Sequence, residues 1–527
     1  MFWQKECQRF IVNKIANHLL GIFKISYTFA LVFITLMKQK DFLFNLFILL
    51  FLNLLIKPFW TFGIDMGVQK LVGTESFGLY FAVFNFTFMF NMLLDMGLTN
   101  FNNRNIAQNT QLLSKHISGI LSLRIVLAVF YLLIVFIAGL IIGYDSFQLK
   151  ILAWAAFNQF LNSLILYLRS NVTALLMFKT DSVLSVLDKL LMIVICGVLI
   201  WGNVTDQPFR IMWFIYAQTV SYLIAGTVAL LIVLYKAKII TLTWNLTFFR
   251  AILKKSFPFA LLTMLMAIYG RIDSVMIERI LPKSIAADQA GIFAFPFRFL
   301  ETLVMIAYLF SVILLPLFSK MLKKKEDLTP IIKSAFSLLF FFSITSAILL
   351  IAYRMPVLSF IYPDIAQESA RVFIFLIPCI IPLSMTYIFG TLLTANGSLR
   401  ILNITSAIAI VVNIAINFTL IPIMEARGAA IASLSTQTSI AVMQFIIAFK
   451  LLKIPFSTLP YFRCLLYICL LTGSVFIMTH YVDTGLIFNL LICGGAALVW
   501  AFVTKLIPLK FIALRFPRWR GMGDELS

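Results

Sequence analysis

Arg271 and Asp273 lie inside an apolar run from about Phe257 to Leu281 that is long enough to cross a bilayer. Glu278 and Arg279 follow near its end. A charge near a bilayer centre costs about 2.5–3.5 kcal/mol on insertion scales, so it must face water, pair with another charge or reach the interface. Lys57, Arg124, Lys189 and Arg298 pose the same problem in other apolar runs. Lys57, Arg271 and Arg298 are the hardest to place at an interface. At 1.5 Å per residue they lie roughly 4–9 Å outward of their helix midpoints. Arg124 is nearer the inner end of its run and in reach of headgroups. Lys189 adjoins Asp188, and Arg279 is close enough to a helix end to snorkel.

The anions expected to neutralise these bases are few. Glu301 follows Arg298 by three residues, on the same helix face. Asp273 is two residues from Arg271 and points to another face. Asp65 and Asp95 fall at span ends and read as caps or hinges. Two readings follow. One is a buried ion-pair network that locks helices together. The other is a cationic cavity for an anionic cargo, for which phosphate or diphosphate is suited because guanidinium and ammonium groups bind such oxygens directly. The substrate-binding residues expected on the second reading are Lys57, Arg124, Arg271 and Arg298. Asp273 and Glu301 are the expected ion-coupling or charge-pair residues.

The elements that carry these charges are spans. Of 527 residues, 62% are hydrophobic and only 12% charged, about half the charged share of a soluble domain. Apolar runs of spanning length fall at about 42–64, 77–99, 115–143, 149–170, 182–201, 211–236, 256–281, 290–318, 330–353, 370–393, 400–422, 427–450, 460–482 and 485–507. None alternates with period two, so the expected fold is an all-α integral membrane protein of about fourteen transmembrane helices.

The formal charge of +21 reads as the positive-inside bias of a membrane protein, not as a nucleic-acid surface. With both ends in the cytoplasm, Lys and Arg concentrate in alternate loops along the whole chain. Residues 1–40 carry a short apolar run too brief to span and no cleavage-site pattern, and read as a cytoplasmic, interfacial segment. The cysteines show no C-x-x-C pair, and no metal spacing, Walker loop or cofactor motif is present.

A weak repeat is present. Gly63-Ile-Asp65 recurs as Gly270-Arg-Ile-Asp273, and Gly78 to Phe86 recurs as Gly291 to Phe299. Residues 41–240 and 241–455 then form two six-span copies, with spans 13 and 14 and a basic tail in 456–527. An even span number makes the copies parallel, as in transporters whose substrate site lies between halves. Asn85 occupies the repeat position of Arg298, so that charge belongs to the second copy alone.

Several short motifs occur in order. They are Val72-Gly73 leading to Phe77-Gly78-Leu79-Tyr80, Asp95-Met96-Gly97-Leu98, Arg271-Ile272-Asp273 and Ala290-Gly291-Ile292-Phe293. They continue with Arg298-Phe299-Leu300-Glu301, Leu315-Pro316, Ala395-Asn396-Gly397, Asn413 through Pro422 and Arg427-Gly428-Ala429-Ala430-Ile431. Over about residues 42–510 the chain resembles the Wzx-type polysaccharide flippases of the multidrug/oligosaccharidyl-lipid/polysaccharide exporter (MOP) superfamily. The resemblance implies a MATE-like, two-lobed bundle in the bacterial inner membrane, working without a cofactor and as a monomer. Its implied cargo is undecaprenyl-diphosphate-linked oligosaccharide, moved from the inner to the outer leaflet. The implied energy source is membrane potential or an H+ or Na+ gradient. A drug/cation antiporter of the same superfamily, which would want an acidic cavity, and a lipid II flippase are the rival transporters. A membrane glycan polymerase or ligase would want a long outer loop, and none of these loops is long.

Overall fold

The computed structural model describes residues 52–53, 55–57, 59–99, 113–175, 177–202, 207–237, 244–455, 460–482 and 485–506. The expected interfacial segment 1–40 and the basic end of the chain lie outside them. Among the described residues every regular element is helical, as a backbone in hydrocarbon requires.

The first half begins with helical residues that pass into a π-helical turn, Trp60–Asp65. It continues as α1 (Met66–Met89), α2 (Met92–Asp95), α3 (Leu113–Ile142), α4 (Ser146–Ala174), α5 (Phe178–Trp201) and α6 (Ile211–Ala237). The second half comprises α7 (Leu246–Ile280), α8 (Lys283–Lys324), α9 (Thr329–Ala352), α10 (Arg354–Ile361), α11 (Ala366–Leu376), α12 (Ile380–Ala395) and α13 (Leu399–Leu451). Two last helices follow, α14 (Tyr461–Tyr481) and α15 (Leu486–Val503).

Among the described residues twelve helical stretches are long and apolar enough to cross a bilayer, and two of them are long enough to cross twice. Leu55–Asp95 has 41 residues and Leu399–Leu451 has 53. As straight helices they would be about 60 and 80 Å long, against a hydrocarbon core of about 30 Å. The first is broken at Gly73, whose φ of 82° and ψ of 165° suit only glycine. The second is broken at Glu425, φ 53°. Just after that break a Cβ on Gly428 would lie 2.5 Å from the Leu420 carbonyl oxygen, so the hairpin closes only over a glycine. The twelve stretches, two of them of double length, agree roughly with the count of about fourteen expected from hydropathy.

Within the first half α4 packs along α6, and within the second α7 packs along α13. Spans 13 and 14 attach to the second half through α9. Tyr467 Oη and Thr345 Oγ1 are 2.6 Å apart, and Tyr353 Oη meets Cys493 Sγ at 3.7 Å.

The halves meet mainly through α1 and α8, and there the repeat-related glycines face one another. A Cβ on Gly78 would lie 2.0 Å from the Ala287 carbonyl oxygen, and one on Gly291 would lie 2.1 Å from that of Thr74. The same end holds further ties. Gln69 Nε2 donates to the Gly291 carbonyl at 2.9 Å, Thr74 Oγ1 bonds Asp288, and Tyr362 Oη donates to the Gln69 carbonyl at 2.7 Å. Asp145 and Gln148 form a capping box at the start of α4. Gln148 then reaches the other half, donating to Glu278 Oε1 at 2.6 Å and accepting from Arg279 Nη2 at 2.9 Å. Glu278 and Arg279, expected at the interface, are thus part of a closed end between the halves.

Candidate functional site

The charges left inside the spans converge midway along the contact between halves. Arg298, on α8, places Nε 2.7 Å from Asp65 Oδ2 and Nη1 2.8 Å from Glu301 Oε2. Arg271, on α7, places Nη2 2.5 Å from Glu301 Oε1 and donates from Nη1 to Asn85 Oδ1 at 2.9 Å. Glu301 is therefore shared by two arginines, and Arg298 and Arg271 each reach from the second half into the first. Aromatic faces complete the enclosure: Arg271 lies 4.4 Å from the Phe88 ring centre and Arg298 5.2 Å from that of Phe81.

Asp65 was expected to be a helix-end residue. It is instead a buried partner of Arg298. Proximity in sequence could not reveal this, because the two are brought together by the packing of α8 on the start of the first half. The repeat has diverged here. Asn85, which stands at the repeat position of Arg298, donates to Ser274 Oγ at 2.9 Å and offers no charge to Asp273.

Asp273 turns away from the cleft. It lines neither of the cavities described below, being 2% exposed and packed against α13. There it accepts from Asn413 Nδ2 at 3.0 Å, Asn417 Nδ2 at 2.7 Å and Ser433 Oγ. Among the described residues it makes no ion pair. Of the two roles expected for Asp273, charge pair and ion coupling, the first is not seen among the described residues. Two positions along a helix differ by about 200° around the axis, and only the fold shows that α13 covers one of those faces.

Arg124 is also re-placed. It is buried and lines neither of the two cavities described below. It is 3% exposed, bonds Asp95, and donates to the Ser163 carbonyl at 3.0 Å, Ser163 Oγ at 2.9 Å and Thr99 Oγ1 at 2.7 Å. That makes it a staple joining α2, α3 and α4, and Asp95 its counter-ion.

Two adjoining cavities open beside the arginine cluster. The larger, about 730 Å³, is lined by Lys57, Asn91, Asp95, Arg169, Asp181 and Tyr308 among others. The smaller, about 240 Å³, is lined by Lys57, Trp60, Asp65, Lys189, Arg298 and Glu301 among others. Lys57 and Met305 line both. Lys189 pairs with Asp188 at 3.1 Å and lies 5.4 Å from the ring centres of Trp60 and Tyr222. Arg169 grips Asp181 with two contacts, 2.8 and 3.3 Å. Lys57 differs from all of these: among the described residues its ammonium makes no ion pair.

Counting the charges that line the cavities with their ion-pair partners gives six bases (Lys57, Arg124, Arg169, Lys189, Arg271, Arg298) against five acids (Asp65, Asp95, Asp181, Asp188, Glu301). The surplus positive charge expected in the cleft is thus one charge, on Lys57, and the arginines are largely neutralised. Sequence reasoning missed the Arg169–Asp181 pair because both flank a loop. Their spacing across that short loop was the available signal.

No curated protein sequence matches the chain. The family described as polysaccharide biosynthesis protein matches residues 42–322. Among solved structures, the lipid II flippase MurJ in an inward closed conformation superposes with a TM-score of 0.64 at 15% identity, covering 90% of this chain and 99% of that one. An inward-facing multidrug resistance MATE family transporter of the MOP superfamily gives 0.57 at 12% identity, covering 75% and 94%. A MOP superfamily transporter from Pyrococcus furiosus gives 0.55 at 14%, covering 78% and 94%. At such identities the likeness establishes the MATE/MurJ fold.

Proposed function

The chain belongs to the polysaccharide biosynthesis protein family, and from that membership we propose that it is a flippase for lipid-linked oligosaccharide. It carries an undecaprenyl-diphosphate-linked repeat unit from the cytoplasmic to the outer leaflet of a bacterial inner membrane, as a monomer, a transporter and not an enzyme. The observation that carries this reading is Lys57, an ammonium without an ion pair among the described residues, where both cavities meet. A diphosphate supplies the charge that Lys57 lacks. It also suits Arg298 and Arg271, whose carboxylate partners a phosphate oxygen can replace.

The halves touch at the end carrying Gly78, Gly291, Gln148 and Arg279, and the larger cavity lies toward the end carrying Arg169 and Asp181. With basic loops on the cytoplasmic side, this is an arrangement closed to the outside and ready to load from within. The polyprenyl tail stays in lipid while the polar head crosses. Release follows when the closed end parts and the cavity end closes.

The chain has no nucleotide-binding motif, so an ion gradient drives the cycle. Asp273 is the coupling group, because a carboxylate held only by neutral donors gains most from a proton or Na+. Glu301 serves the arginines as a charge pair. A drug/cation antiporter fits less well, since every carboxylate lining the cavities is already paired with a base. A lipid II cargo shares the diphosphate chemistry and differs only in its sugars and peptide.

The test is to delete the gene and follow lipid-linked oligosaccharide by leaflet. The expected result is accumulation facing the cytoplasm and loss of surface glycan, restored by the intact gene and not by Arg298→Glu. Unchanged surface glycan with reduced dye or drug export would overturn the proposal.

A further inference from the structure

The larger cavity has two chemically different walls. Nineteen residues line it, fourteen from the first half and five from the second. Eleven of the fourteen are polar or charged, whereas the second half offers Ala267, Met305 and Leu309 beside Thr263 and Tyr308. A cavity that merely held water between the halves would need no such division.

The polar wall is also biased in kind. Thr173 Oγ1 already donates to the Ser170 carbonyl at 3.0 Å. What this hydroxyl has left for the cavity is lone pairs. Asn91 Oδ1 is buried and accepts no hydrogen bond among the described residues. Asp181 is matched in charge by Arg169 but keeps lone pairs beyond that pair. The wall is rich in acceptors and close to neutral. Phosphate brings no protons to such a wall, an organic cation finds no uncompensated carboxylate there, and an isoprenoid chain has nothing to donate. A sugar brings many hydroxyl donors and no charge.

Resting on the flippase reading above, we propose that this first-half wall is the sugar-reading surface. The oligosaccharide lies along it, and Asn91, Thr173 and Asp181 accept hydrogen bonds from its hydroxyls. They thereby set which glycan is carried, while the diphosphate is held at Lys57 and Arg298. Specificity then resides in the first half of the chain, and the second half supplies an apolar wall indifferent to sugar identity.

The test uses the full-length protein in nanodiscs and two probes, undecaprenyl diphosphate and the lipid-linked oligosaccharide extracted from the deletion strain. For Asn91→Ala with Thr173→Ala, affinity for the oligosaccharide-bearing lipid is expected to fall about tenfold or more, as the loss of hydrogen bonds to two side chains implies. Affinity for undecaprenyl diphosphate is expected to stay within twofold, which also shows that the variant is folded. Equal weakening for both probes, or none for either, would overturn the sugar-reading wall while leaving the flippase reading intact. If the wild type binds neither probe, the flippase reading itself falls, and this inference with it.

Discussion

Gly291→Ala tests the closed end directly. Its Cβ would lie 2.1 Å from the Thr74 carbonyl oxygen, and 2.9 Å from Thr74 Cα. Both contacts are backbone, so no side chain can swing aside. Reaching the 3.4 Å of an ordinary contact requires α1 and α8 to part by about 1.3 Å. Overpacking of this kind costs about 1–3 kcal/mol. The cost falls on the closed arrangement alone, because once the halves part at this end the methyl group meets nothing. A bias of that size changes the ratio of closed to open molecules about 5- to 150-fold. Spin labels at Lys150 and Lys283, exposed at that end on opposite halves, report the change by pulsed electron resonance in nanodiscs. The distance distribution should move outward and the flipping rate should fall, because the inward-loading form becomes rare. A distribution and flipping rate identical to wild type would mean that the glycine contact does not hold the halves together, and the account of the closed end would be wrong.

Other predictions follow from the charge network. Arg298→Gln strands Asp65, which is buried, and should cost about 3–5 kcal/mol of stability in thermal unfolding in detergent. Adding Asp65→Asn should restore most of that stability and none of the transport. Lys57→Gln removes a base without an ion pair, so the melting temperature should hold while flipping is lost; a large fall in stability would contradict the assignment. Asp273→Asn should leave protein level unchanged and make leaflet transfer insensitive to the ion gradient in proteoliposomes. Arg124→Met should destabilise the first half through the loss of the counter-ion of Asp95, seen as a lower melting temperature, and a second change, Asp95→Asn, should relieve it.

Much of the fold is legible in the residue string, because crossing a bilayer demands long apolar runs and forces their backbone into helices. The breaks are legible too: Val72-Gly73 and Arg427-Gly428 punctuate the two longest helical stretches, and both are glycine-dependent turns in the structure. Arg271, Arg298 and Lys57 stood out because charge in such runs is costly, and all three do reach one region. Partners were less legible. Asp65 looked like a span end, yet it faces Arg298 across 233 positions of chain. Asp273 stood out as a charge-pair or coupling residue, yet α13 covers it with neutral donors. Arg124 looked ready to reach lipid headgroups, yet Ser163 and Asp95 hold it inside.

The sequence by itself determined how many times this chain crosses the membrane, where it turns, and which charged side chains need a reason to be there. Those properties depend on local composition and on the bilayer as solvent, and no distant residue alters them. The tertiary structure alone decided which charge answers which, and that Lys57 is left unanswered among the described residues. Helix periodicity defines the direction of a side chain about its own axis but not the neighbouring helix that meets it. That meeting depends on two backbones approaching as closely as Gly78 and Gly291 allow.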